Sequence, residues 1–118
     1  MFCYSILWLC FIQLLGENYN TRVDEKACHM LKNGEWTRAP PLQSARRYAA
    51  ASLTRSGHML VTGGYDGQSD RVLQTSELRD ITGLWVNGPF LPEPTYLHCQ
   101  VTVDSDVYIL GKFKKNYT

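Results

Sequence analysis

Short apolar runs separated by polar turns fill the middle of this chain. The first two runs lie on either side of Arg55-Ser56-Gly57, a polar turn that ends in a residue able to take positive φ, and this arrangement predicts a β-hairpin. Two further runs follow turn-rich breaks, so the pattern predicts a unit of four antiparallel strands. The predicted strands are residues 48–53, 59–62, 72–79 and 85–87.

The residue types in these runs predict where each strand lies. Residues 59–62 are apolar on both faces, which is expected of a sheet packed between two neighbouring sheets. Residues 49–52 are three alanines and a serine, whose small side chains suit the crowded innermost strand of a β-propeller blade. Trp85 opens the last strand, where its ring is expected to cover the blade edge and contact a neighbour.

The chain also repeats itself at a spacing of about 50 residues. Such a repeat is typical of stacked units, none of which can bury its apolar faces alone. The matched sets are Gly34, Trp36, Pro40 and Leu42, and, 49 residues later, Gly83, Trp85, Pro89 and Leu91.

The spacing drifts where the turns differ in length. Tyr48 precedes His98 by 50 residues, whereas Met59 precedes Val107 by 48. The hairpin turn at residues 54–57 is therefore predicted to be longer than the turn at residues 104–106, while the strands are kept.

These residues resemble the kelch repeat. The kelch pattern contains a Gly-Gly pair at the end of a strand, a variable loop, an acidic strand, a later Trp and an Arg near the inner strand. The resemblance covers about residues 24 to 112, with Arg79 where the family usually has Tyr and Lys112 in place of the second Gly of the second pair. The matching residues are Gly63-Gly64, residues 76–80, Trp85 and Arg46-Arg47-Tyr48.

The resemblance implies an all-β fold, namely a partial kelch-type β-propeller of four-stranded antiparallel blades. The chain holds roughly two blades, whereas propellers close with about four to eight, so we expect a fragment of a larger propeller or a subunit that other chains complete. A small two-sheet all-β domain is the other interpretation. The implied segments are the end of a first blade at 24–40, a complete blade at 46–89, the start of a third at 96–112 and a tail at 113–118.

Residues 1–16 form an uncharged and mostly apolar segment, which precedes every Lys, Arg, Asp and Glu of the chain. As a helix, residues 2–15 would span about 21 Å, less than the hydrocarbon core of about 30 Å, so no membrane span is expected. The segment is interpreted as a signal peptide, although no Lys or Arg precedes the apolar run. This interpretation predicts a secreted protein. A buried strand of a preceding blade, a membrane anchor and a cytoplasmic location are the alternatives.

The charge pattern argues against nucleic-acid binding. The formal net charge is +1, and basic residues are scattered among acidic ones. Lys112, Lys114 and Lys115 form the only local basic run, which is typical of a solvated terminus. Asn116 begins an N-glycosylation sequon at the end of the sequence.

Two cysteines, Cys28 and Cys99, follow the predicted signal peptide. The repeat register places them on blades too far apart for a mutual disulfide, so each is expected to pair elsewhere or to stay a thiol. Cys28-His29 and His98-Cys99 are not expected to bind a metal, because adjacent residues of a strand point to opposite faces.

The resemblance implies a non-enzymatic module whose variable loops bind a protein or glycan partner. No catalytic set, metal site or cofactor is predicted, and self-association through open blade edges is expected. The candidate binding surface consists of Arg46, Arg47, Tyr65, Asp66, Gln68, Asp70, Arg71 and Tyr96. The structural repeat positions are Trp36, Gly63, Gly64, Trp85 and Gly111.

Two other functions are compatible with the resemblance. Copper radical oxidases such as galactose oxidase have kelch-like propellers, and their chemistry would need Tyr and His ligands that converge on the axis. The predicted inner strands offer only Tyr48 and His98 in equivalent positions, and two residues do not make that site. Substrate adaptors of the ubiquitin system also carry such propellers.

Overall fold

The computed structural model describes residues 26–111, and every regular element in this range is a β-strand. The strands form four antiparallel sheets, which confirms the all-β class for this part of the chain. The strands are β1 (Cys28–Lys32), β2 (Glu35–Ala39), β3 (Ala50–Leu53), β4 (Met59–Thr62), β5 (Tyr65–Asp66), β6 (Arg71–Val72), β7 (Ser76–Arg79), β8 (Trp85–Asn87), β9 (Cys99–Val103) and β10 (Asp106–Leu110).

The central element is a four-stranded sheet in the order β3-β4-β7-β8. Thr62 of β4 pairs with Ala50 on one side and with Ser76 on the other, so the strands are neighbours in chain order. An N-terminal hairpin of β1 and β2 and a C-terminal hairpin of β9 and β10 flank this sheet in the sequence. The sheet and the two hairpins share no ladder of strand pairs.

The third strand of the sheet begins at Ser76, so the prediction of a strand over 72–79 is wrong at its start. Val72 pairs instead with Tyr65 in the two-stranded ribbon of β5 and β6. The Leu73 N–H donates to the Gly64 carbonyl at 2.8 Å, which draws this segment away from β4. The turn before this segment consists of residues 67–70, because Tyr65 and Asp66 belong to β5.

The first strand of the sheet begins at Ala50, two residues later than predicted. Tyr48 has a φ of 56°, in the left-handed region that a strand does not contain. Its carbonyl accepts a hydrogen bond from Leu97 at 3.0 Å, so the chain turns here toward the segment before β9 instead of extending β3.

The two hairpin turns differ in length as the drifting repeat spacing predicts. Leu53 pairs with Met59, which leaves residues 54–58 in the turn, whereas Val103 pairs with Asp106 and leaves only residues 104 and 105. This prediction is confirmed.

The hydrophobic core lies between the N-terminal hairpin and the four-stranded sheet. The indole of Trp85 fills it and donates a hydrogen bond from Nε1 to the Pro40 carbonyl at 3.0 Å. Ala51 on β3 and Met59 on β4 pack against this core. The buried core residues are Cys28, Leu42, Ala49, Val61 and Trp85.

Strand β4 is buried on both of its faces, as its composition predicts. Val61 is fully buried in the core next to the N-terminal hairpin. The neighbouring Thr62 points the other way, and its hydroxyl meets His98 at the start of the C-terminal hairpin. The sheet is therefore packed between two other pieces of the chain.

The sequence repeat is also a repeat of backbone structure. Leu42 donates its N–H to the Lys26 carbonyl at 2.9 Å, and Leu91, its repeat mate, donates to the Gln74 carbonyl at 2.8 Å. Both leucine side chains are buried. The segments that follow β2 and β8 therefore share the same backbone hydrogen bond and the same buried leucine.

The two repeat tryptophans lie in different environments. Trp85 is 6% exposed, between the N-terminal hairpin and the sheet, whereas Trp36 on β2 is 55% exposed. The repeat motif alone therefore does not determine whether the Trp ring is buried. The burial of Trp85 depends on the N-terminal hairpin that packs against it.

The remaining features complete the comparison with the sequence. Cys28 is buried and Cys99 is exposed, and they form no disulfide with each other. Within residues 26–111, no helix is long and apolar enough to cross a membrane. The predicted signal peptide at 1–16, the tail at 113–118 and the sequon at Asn116 lie outside the described residues.

Replacing Trp85 by Ala should lower the free energy of unfolding by about 3 to 5 kcal/mol, because the change leaves a cavity in the core. Trp36→Ala, at the matched repeat position, should lower it by about half as much or less. Urea unfolding of both variants measures the difference. Equal losses would contradict the assignment of Trp85 to the core.

Both glycines of the Gly63-Gly64 pair have positive φ, 61° and 103°, as expected at the exit of the second strand. Gly57 also has a positive φ of 80° but has open space around it. A Cβ at Gly63 would overlap the Thr95 carbonyl oxygen.

Gly63→Ala should therefore reduce stability by about 2 to 5 kcal/mol, since backbone strain and overlap add. Gly57→Ala, which adds strain alone, should reduce it by about 1 to 2 kcal/mol. Thermal and urea unfolding of the two variants test this order, and a smaller loss for Gly63→Ala would show that the close approach to Thr95 is absent.

Candidate functional site

Backbone hydrogen bonds bring three separate segments of the chain together next to the start of β3 and the end of β4. Arg47 and Tyr65 exchange two N–H···O bonds at 2.8 and 2.7 Å. Gly64 donates to the Thr95 carbonyl at 2.8 Å. With the bond from Leu97 to Tyr48, these contacts fix the segments around residues 47, 65 and 96 against one another.

Three tyrosine rings meet where these segments converge, and we call Tyr48, Tyr65 and Tyr96 the tyrosine cluster. The ring centroids of Tyr48 and Tyr96 lie 6.4 Å apart with a tilt of 48°. Those of Tyr65 and Tyr96 are also 6.4 Å apart, with a tilt of 43°. Such tilted pairs are favourable for aromatic rings. Tyr96 joins the other two rings and is 42% exposed.

The loop between β5 and β6 places polar groups beside this cluster. The Tyr65 hydroxyl donates a hydrogen bond to the Asp70 carboxylate, which links the ring to the far end of the loop. Asp66 accepts a hydrogen bond from the Gln68 N–H at 3.0 Å. The turn residues 67–70 are exposed to solvent. The loop is therefore held by its own side chains and still faces outward.

The carboxylate of Asp66 is stabilised in its charged form. Desolvation would raise the pKa of Asp66, but hydrogen bonds from Gln68 and Ser69, together with the charge of Lys26, hold the pKa below its usual range. The site therefore presents an ionised acceptor at neutral pH.

The structure places most of the predicted binding residues in one region. Tyr65 and Asp66 form β5, Arg71 begins the paired strand β6, and Arg47 bridges to Tyr65. Gln68 and Asp70 lie in the exposed turn between them. Tyr96 reaches the same region from the segment before β9.

Arg46 is the exception, because the structure places it inside the protein instead of on the loop surface. Its side chain is 1% exposed, and Nε lies 2.7 Å from Oε2 of Glu77, whose side chain is also 1% exposed. One terminal nitrogen of Arg46 donates to the carbonyls of Gly63 at 2.9 Å and Thr75 at 2.8 Å, and the other donates to the Thr75 hydroxyl at 2.8 Å. Arg46 therefore stabilises the fold under the site.

Glu77 completes this internal ion pair. Its carboxylate also accepts backbone hydrogen bonds from Gln43 at 2.6 Å and from Ser44 at 3.3 Å. The carboxylate thus ties the connection after β2 to strand β7. Sequence reasoning treated Glu77 only as part of the acidic strand, because nothing in the sequence shows which Arg it faces.

Tyr48 was missed as a member of the site. In the sequence it stands at the end of Arg46-Arg47-Tyr48, at the start of a predicted strand, and was otherwise considered as a metal ligand. Its position in the tyrosine cluster depends on its left-handed backbone and on the Arg47 bridge to Tyr65, which are long-range features. Its place next to Arg47, a predicted binding residue, was the available signal.

Gly111 is exposed, but its backbone passes close to His98. A Cβ at this position would lie 2.7 Å from the Cβ of His98, so the chain after β10 passes close to the start of β9. Within the range that the structure covers, no group of three His, Cys, Asp or Glu side chains is arranged to hold a metal ion.

No protein-family model matches the chain, and a comparison with curated proteins gives no match.

Glu77→Gln should destabilise the protein by about 3 to 5 kcal/mol, because it leaves the buried Arg46 charge without its partner. Glu35→Gln, on the exposed strand β2, should change stability by about 0.5 kcal/mol or less. Urea unfolding of the two isosteric variants provides the measurement. A loss near the Glu35→Gln value would mean that Arg46 is satisfied by the carbonyls alone.

Proposed function

We propose that this chain is a non-enzymatic binding module of kelch-like repeats, whose loops bind a protein or glycan partner. The observation that carries the proposal is the half-exposed tyrosine cluster, which is fixed by backbone hydrogen bonds beside a polar loop. A fixed backbone reduces the entropy lost when a ligand binds.

We also propose that the four-stranded sheet is one blade of a partial propeller and that the two hairpins belong to neighbouring blades. Matched backbone conformations at the repeat spacing support this proposal. Gly34 and Gly83 have φ values of 79° and 86°, and Tyr48 and Leu97, which are also 49 residues apart, have values of 56° and 55°. Strands joined in chain order within one sheet agree with a propeller blade.

The tyrosine cluster has the chemistry that recognition surfaces use. A tyrosine ring offers a flat apolar face with few rotatable bonds, and its hydroxyl forms hydrogen bonds at the rim. Tyr96 presents such a face to solvent. Asp66 and Asp70 supply acceptors beside it, and the exposed Arg71 supplies donors. Apolar peptide side chains and the carbon faces of sugars both fit this combination.

The copper radical oxidase alternative gains no support from these positions. The ring of Tyr48 packs against Tyr96, and Nε2 of His98 is 2.8 Å from the Thr62 hydroxyl. Each side chain thus has a partner other than a shared metal. We further propose an extracellular location, which rests on the apolar segment 1–16 alone.

The proposal predicts that ligand binding depends on Tyr96. The full chain is screened against immobilised glycans and a peptide library, and the strongest ligand is titrated against wild type and Tyr96→Ala. We expect Tyr96→Ala to weaken binding about tenfold or more, as for a central aromatic contact.

Tyr108→Ala is the matched control, because Tyr108 is a half-exposed tyrosine on β10, outside the tyrosine cluster. It should bind like wild type, and thermal unfolding of both variants excludes a general loss of structure. An affinity that Tyr96→Ala leaves unchanged, or the absence of any ligand in both libraries, contradicts the proposed function.

A further inference from the structure

His98 is a buried histidine at the joint between the C-terminal hairpin and the four-stranded sheet. It immediately precedes β9, is 8% exposed, and lies against the end of β4. A Cβ at Gly63 would be 3.0 Å from its Cε1 atom, and one at Gly111 would be 2.7 Å from its Cβ. The backbone at Gly63 therefore passes close to the ring, and the backbone at Gly111 passes close to the Cβ that carries it.

A chain of hydrogen bonds fixes which ring nitrogen of His98 carries the proton. The Gln100 amide nitrogen donates to the Leu60 carbonyl at 3.1 Å and to the Ser52 hydroxyl at 2.7 Å, so the amide oxygen faces Thr62. That oxygen can only accept, and the Thr62 hydroxyl therefore donates its single proton to it. Thr62 must then accept from His98, which makes Nε2 the protonated nitrogen.

The other nitrogen, Nδ1, is buried and has no hydrogen-bond partner among the described residues. It is the bare lone pair of a neutral imidazole. Adding a proton there would create a buried cation whose new N–H has no acceptor, which is strongly unfavourable in a desolvated site. The docked structure thus favours the neutral ring.

The groups recorded against the ring are uncharged. They are Thr62 from β4 and Gly63 after it, and Gly111 lies against the Cα and Cβ of His98. Cys99, the next residue on β9, is exposed. Burial alone lowers the pKa of His98 from its ordinary value of 6.5, and no charged group of the described residues offsets this effect.

We propose that His98 is an acid-sensitive latch, whose protonation at Nδ1 releases the C-terminal hairpin from the four-stranded sheet. Two features support the coupling. Thr62 on β4 is hydrogen-bonded to both His98 and Gln100, and Gln100 holds the hairpin to β3 and β4. Release does not depend on the proposed binding function.

The direction of the pH effect follows from linkage. The folded-state pKa is lowered, so the released or unfolded chain binds the proton more readily than the docked one. Docking is at full strength above pH 6.5. It weakens as the pH falls below 6.5, down to the folded-state pKa of the ring. In that window, the equilibrium constant for opening should rise about tenfold per pH unit for one proton.

Amide hydrogen exchange on the full chain tests the latch between about pH 7.5 and 5, after correction for the intrinsic pH dependence of exchange. Amides of β9 and β10 should open about tenfold more per pH unit in the acidic part of the range, while those of β1 and β2 should not. His98→Gln, whose amide can still donate to Thr62, should abolish this dependence. His58→Gln, at an exposed turn where the ring bonds Ser56, should retain it.

Unchanged exchange of β9 and β10 in the wild type, or an acid dependence that persists in His98→Gln, overturns the proposal. If His98→Gln does not fold, the ring of His98 is titrated by NMR in the wild type. A midpoint below 6.5 that coincides with hairpin opening supports the latch, whereas a midpoint at or above 6.5 overturns it. Because none of these readouts involves a ligand, they can succeed even where the glycan and peptide screens fail.

Discussion

The buried ion pair between Arg46 and Glu77 is the interaction on which the rest of the structure depends. Arg46 donates to carbonyls at Gly63 and Thr75, on both sides of the small β5–β6 ribbon, while Glu77 accepts from the backbone after β2. Three parts of the chain thus meet at one pair of charges, namely the connection after β2, the end of β4 and strand β7. A buried pair contributes little net stability compared with apolar residues, but removing either partner is strongly unfavourable. Its role here is to specify one arrangement of the connections around the sheet.

The tyrosine cluster follows from this arrangement. The Gly63 carbonyl accepts a hydrogen bond from the Arg46 guanidinium, and the left-handed backbone of Gly63 and Gly64 turns the chain from β4 into β5. That turn brings Tyr65 to Arg47, and the same backbone holds the segment of Tyr96 through Thr95. An internal electrostatic contact thereby sets the geometry of an exposed aromatic surface. Residues with different roles are neighbours in the sequence. Arg46 stabilises the fold through the buried ion pair, whereas the next residue, Arg47, holds Tyr65 in the candidate binding region.

The sequence predicts the strands of the central sheet better than it predicts their contacts. Residues 59–62 and 85–87 are strands as expected, because apolar composition and flanking turns are local signals. The start of β7 was missed, since Val72 leaves the sheet to pair with Tyr65 through a contact that no local pattern encodes. The burial of Arg46 was missed for the same reason. Most of the candidate loop surface was predictable from turn chemistry, whereas Tyr48 joined it through a backbone conformation that its residue type does not favour.

The lack of shared ladders between the sheet and the two hairpins has a consequence for how the protein unfolds. Within the described range, each hairpin meets the sheet through side chains and connecting segments only. Stability in such an array is approximately a sum of unit terms and nearest-neighbour interface terms. The sheet takes part in both interfaces, whereas each hairpin takes part in one. Opening either hairpin therefore leaves the interface of the other hairpin intact, whereas opening the sheet breaks both interfaces. The two hairpins can therefore open independently of each other, but the four-stranded sheet unfolds only together with both hairpins.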